Sequence, residues 1–125
     1  MTEPTIRFLS LFVPDLAEAR ERYAAIFGRE PVEGDEVCPR PHPFAAAGPV
    51  VFELGTVRIA LYQCDQRTTH AGDVGIGIMD AEGPEATARR ARKAGARVFA
   101  GPAGEMAVFM TPDRHFFEVV GDKRG

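Results

Sequence analysis

Three shortages narrow the field before any motif is considered. No apolar run approaches the roughly 18 residues of a membrane span, which argues against a membrane partner. Charge of one sign is not in excess: the net charge is −3, and the 15 Lys and Arg are scattered. Arg89, Arg90, Arg92 and Lys93 form the one basic cluster, and a helical reading spreads them over a solvated face, which argues against nucleic acid. Cysteine is scarce too. Cys38 and Cys64 do not make a disulfide framework. The start, Met1-Thr2-Glu3-Pro4, lacks the basic-then-apolar pattern of a secretory signal, so a reduced cytoplasmic setting is expected.

What is present is the composition of an ordinary soluble domain. The 125 residues are 45% hydrophobic and 26% charged. That length suits a single domain, 1–125, with one real core.

The pattern along the chain is clear in most places. Residues 5–13 read as a strand apolar on both faces, with Ile6, Phe8, Ser10 and Phe12 on one side and Leu9, Leu11 and Val13 on the other. Asp15 suits a helix cap, with Glu18 at the capping-box position. Leu16, Ala19, Tyr23, Ile26 and Phe27 make a helical stripe expected to be buried, and Gly28 suits the stop. A short strand is expected near Glu30–Glu33. Residues 34–49 carry four prolines and read as a loop, functional or mobile. Within it, Cys38 and His42 have a suggestive spacing, but a Pro-rich loop is the simpler account. Val50–Leu54 and Val57–Gln63 read as a hairpin, and His70 as a solvated loop residue.

From Asp73 the pattern begins again. Glu18, Ala19, Arg22, Ala24 and Gly28 match Glu85, Ala86, Arg89, Ala91 and Gly95 at a constant offset of 67. Strands are expected at 73–79, 96–100, 106–110 and 115–120. Each half then reads strand, helix and three strands, an internal repeat. One βαβββ copy cannot cover both its helix and its sheet face, so the two copies should share a surface.

The closing strand carries the most informative residue. Phe116, Glu118 and Val120 share a face, and a Glu between two apolar neighbours there is not plain core. It either looks into a cavity or lies on an exposed sheet surface. In an aromatic-lined cavity, desolvation would raise its pKa and suit it to base or hydrogen-bond work. As a structural residue it would pair with Arg58 or another cation. His115 reads as part of a variant turn, and Arg114 there calls for either a left-handed backbone, uncommon for a non-glycine, or a different turn.

Phe12-Val13-Pro14-Asp15-Leu16 with Tyr23 and Gly28, Val57–Tyr62, Gly95-Ala96-Arg97-Val98 and Thr111-Pro112-Asp113-Arg114-His115-Phe116-Phe117-Glu118 together resemble the vicinal oxygen chelate superfamily. That superfamily includes glyoxalase I, bleomycin resistance proteins and extradiol dioxygenases. The resemblance implies an α+β fold of two tandem βαβββ modules, about 5–63 and 72–121, forming a cupped mixed sheet. Metal-dependent members place ligands at positions that fall here on Phe8, Ala60, Asp73 and Glu118. Phe8 and Ala60 cannot bind a metal, so no metal cofactor is expected; Asp73 and Glu118 remain as a weak site for a divalent cation. The resemblance implies a homodimer whose apolar cup binds a small, partly aromatic or cationic molecule, as drug-binding antibiotic resistance members do. Its expected lining is Phe8, Ser10, Phe12, Arg58, Tyr62, Asp73, Phe116 and Glu118. The alternative is an enzyme, a lyase, isomerase or dioxygenase, with an atypical metal set or with Glu118 as catalytic base.

Overall fold

A computed structural model of the chain describes residues 4–40, 42–45, 47–64, 72–100 and 105–121. The expected His70 loop lies outside them. The fold is α+β, with seven strands and two helices and with both parallel and antiparallel strand pairs. Contacts divide it into two units. One is Phe8–Val74; the other is Gly75–Gly125 together with Met1–Arg7.

Strand β1 (Thr5–Val13) enters the Phe8–Val74 unit at Phe8 and leads into helix α1 (Leu16–Phe27). The Glu18 amide donates to Asp15 Oδ1 at 3.1 Å, satisfying one of the free amides of the first turn. The Glu18 side chain pairs with Arg22 one turn on. Gly28 ends the helix with φ 68°, a left-handed conformation that costs glycine little. Strands β2 (Val50–Leu54) and β3 (Val57–Gln63) complete this unit in the order β2-β3-β1, with β1 and β3 parallel.

The parity of β1 is as the sequence predicts. Leu9, Leu11 and Val13 pack with Leu16, Ala19, Tyr23, Phe27, Phe52, Ile59 and Leu61 in one apolar cluster around α1. Burying this set is the main stabilising term of the unit. Two expectations need correction. Ile26 is 65% exposed, because it falls at the end and edge of the helical stripe. The strand expected at 30–33 shrinks to a single bridge, Val32 to Val51; Pro31 has no amide to extend a ladder.

In the other unit, β4 (Val74–Asp80) leads into α2 (Pro84–Lys93), then β5 (Arg97–Ala100), β6 (Met106–Met110) and β7 (Phe116–Gly121). The order is β4-β7-β6-β5, with β4 and β7 parallel. Pro84 opens α2, and only its small residues Ala88 and Ala91 are buried. Asp80 accepts from the Glu82 amide at 3.0 Å and the Thr87 hydroxyl at 2.7 Å, and Arg90 lies 3.2 Å away. The Thr87 hydrogen bond, chiefly, holds the Asp80 carboxyl below its usual pKa. The turn before β7 places Arg114 at φ 74°, the one non-glycine among the described residues with positive φ.

Candidate functional site

Within the Phe8–Val74 unit, Phe8, Ser10, Phe12 and Tyr62 lie on the face of β1 and β3 opposite α1, and all four are at most 1% exposed. Ser10 stands opposite Ala60, and its Oγ has no hydrogen-bond partner among the described residues. A buried hydroxyl in that state costs about 1–3 kcal/mol.

The segment expected to be a loose loop is packed over the Phe12–Tyr62 end of this face. Tyr62 donates its hydroxyl proton to the Pro39 carbonyl at 2.7 Å. The His42 ring centre lies 4.7 Å from that of Tyr62, 5.2 Å from Phe12 and 5.8 Å from Phe44. Nδ1 of His42 accepts the Phe44 amide at 3.0 Å, so in the neutral ring the proton sits on Nε2. Burial among these rings pushes the His42 pKa down to about 3. The open apolar face that the sequence suggests is therefore covered, at this end, by the chain itself.

Arg58 is tied down rather than free. Its Nε lies 2.6 Å from Asp35 Oδ1, an ion pair by distance although the atoms are not aligned as a hydrogen bond. Glu53 approaches the same guanidinium at 3.5 Å. The Asp35 side chain is fully buried, and its other oxygen accepts the Cys38 amide at 2.9 Å. Asp35 had no signal in the sequence: it is one polar residue inside an irregular segment. His42 had only its spacing from Cys38. Both cysteines are buried and form no disulfide.

Asp73 is half-buried. Its carbonyl accepts the Phe12 amide at 3.1 Å, and the residue lines a groove of about 310 Å³ with Leu11, Val13, Asp15, Ala19 and Tyr23. It thus borders the side of β1 that carries α1.

In the other unit, Glu118 is fully buried on β7, with Phe116 and Val120 on the same face. Its strand partners are Gly77 and Val108. The side chain leans back along the sheet, and its carboxylate lies over Gly75. A β-carbon on Gly75 would stand 2.6 Å from Oε1 and 2.8 Å from Cδ. His115 is exposed on the turn, 3.7 Å from Asp113.

The positions that the resemblance assigns to ligands include Phe8 and Ala60, both apolar and fully buried. Among the described residues no three His, Cys, Asp or Glu side chains gather in one place.

No family profile matches the sequence, and no curated protein does. Solved structures do match. Methylmalonyl-CoA epimerase from Streptomyces coelicolor is 18% identical at TM-score 0.65, over 95% of this chain and 94% of that one. A superfamily member from Vibrio splendidus 12B01 is 16% identical at TM-score 0.59, over 94% and 100%. The chain has the fold of the glyoxalase/bleomycin resistance/dioxygenase superfamily. The NAD-dependent benzaldehyde dehydrogenase from Legionella pneumophila is similar as well, 14% identical at TM-score 0.63 over 93% and 98%. At such identities the glyoxalase-type likeness establishes the fold and carries no activity with it.

Proposed function

We propose that this chain binds a small, flat organic molecule, with Glu118 as its charged anchor and without a protein-held metal. The observation that carries the reading is the full burial of the Glu118 carboxylate beside Phe116, on a strand face otherwise apolar. Sites for small molecules are mostly apolar with a few placed polar groups. An aromatic wall favours a ring, and a carboxylate favours a cation. The apolar residues Phe8 and Ala60, at positions where metal-dependent relatives hold ligands, support the metal-free part.

Ethidium, a planar aromatic cation, is the first probe. Titration by fluorescence should give saturable binding to the wild type, weakened about tenfold, or ~1.4 kcal/mol, in Glu118→Gln. Equal affinities would remove Glu118 from the site. Elemental analysis of purified protein checks the rest, since a stoichiometric, tightly held divalent metal would overturn metal independence.

A second reading makes Glu118 a base that moves a proton on a bound substrate. The same buried carboxylate favours it, and so does the presence of an epimerase among proteins of this fold. Methylmalonyl-CoA incubated with the protein in D2O tests it. Washout of the α-proton by the wild type and its loss in Glu118→Gln are expected; no washout above buffer disposes of that substrate.

A further inference from the structure

The geometry points to Gly75 as the residue that positions the Glu118 carboxylate. The two units use the same strand plan with the bulk placed on opposite strands. In one, the first strand carries Phe8 and the parallel last strand carries Ala60. In the other, the residue 67 positions after Phe8 is Gly75, and the last strand carries Phe116 and Glu118. Gly75 is buried and registers with Phe116, while Glu118 registers with Gly77. The carboxylate nevertheless reaches back over Gly75. A β-carbon there would meet Oε1 at 2.6 Å, Cδ at 2.8 Å and Phe116 Cε2 at 3.0 Å. Real β-carbons essentially never come within 3.0 Å of another heavy atom, and the two contacts below that limit are both with the carboxylate. Any side chain at position 75 must therefore drive the carboxylate away or press on Phe116. Gly75 has no need of a special backbone, since its φ is not positive. Its smallness is what the site uses, because a glycine inside a strand otherwise weakens it.

The assignment rests on the reading of Glu118 as the anchor, but its test does not depend on ligand. The side-chain carboxyl 13C resonance of Glu118, identified by its absence in Glu118→Gln, reports the surroundings of that carboxylate directly. In Gly75→Ala it should move in shift and in titration midpoint, and Tm should fall by about 5–10 °C. Glu118→Asp, one methylene shorter, leaves the space that the new methyl needs. The double variant Gly75→Ala/Glu118→Asp should recover at least half of the lost Tm, and should fold even if Gly75→Ala does not. An unmoved Glu118 resonance in Gly75→Ala, or a double variant whose losses simply add, would overturn the assignment. Ethidium binding, measured below both melting temperatures, is read separately. A tenfold loss in Gly75→Ala supports both readings. A wild type that ignores ethidium counts against the anchor alone, because the resonance still decides the role of Gly75.

Discussion

Acid should loosen this protein through one imidazole. The His42 pKa is pushed from 6.5 down to about 3 by burial. The folded state therefore refuses a proton that the unfolded chain accepts. Stability from this group is complete above the free imidazole pKa and is lost as pH falls towards the folded value. At pH 5 the unfolded chain gains about 1.5 pK units of protonation free energy that the folded chain forgoes, or about 2 kcal/mol at 1.36 kcal/mol per unit. Carboxylates contribute to acid unfolding too, among them Asp80, whose lowered pKa acts in the same direction at lower pH. A difference measurement isolates the histidine. In His42→Asn, Oδ1 replaces Nδ1 as acceptor for the Phe44 amide, and the ring is lost. At neutral pH the variant should be less stable because of the space left between Phe12 and Tyr62. Urea unfolding followed by circular dichroism at pH 7, 6 and 5 should show that deficit shrinking by about 2 kcal/mol. A deficit constant across the range would mean that the folded imidazole protonates freely, and the packed position of His42 would be wrong.

Three further outcomes follow from single contacts. Ser10→Ala removes a buried hydroxyl that has no partner among the described residues and should leave stability in urea unchanged or raised by about 1 kcal/mol; a loss above that size would reveal a partner. Asp35→Asn and Arg58→Met, alone and together, should show coupling of about 2 kcal/mol or more, since the carboxylate is fully buried and 2.6 Å from the guanidinium; additive losses would make the pair incidental. Arg114→Gly relieves a left-handed backbone at φ 74° and should raise Tm by about 2 °C or more, with a fall counting against the turn.

Most of the fold could be read from the residues, because regular elements announce themselves locally. Asp15 and Gly28 bracket α1 through their own hydrogen-bonding and backbone chemistry. Alternation in β1 sorts Leu9 and Leu11 from Phe8 and Ser10 without any knowledge of what covers either face. The repeat gave the second half once the first was read. The site was legible only in part. Glu118 stood out because a strand has a period against which a carboxylate is conspicuous. Segment 35–45 has no period, so nothing local marks Asp35 as the partner of Arg58 or His42 as a ring in an aromatic cluster. Those roles depend on contacts with β1 and β3 that only the folded chain brings together. Nothing local marks Gly75 either, although the carboxylate of Glu118 occupies the place of its missing side chain.

The residues through Arg7 cluster with Gly75–Gly125 rather than with the segment that follows them. That unit is thus assembled from two stretches of polypeptide separated by the whole of the other one. Its two stretches must meet across the whole Phe8–Val74 unit, which raises contact order and slows closure. During synthesis the residues before Phe8 emerge ahead of the Phe8–Val74 unit, and their own unit is complete only when the strands after Val74 follow. Excising the repeat at its apparent seam would separate those opening residues from the unit with which they cluster.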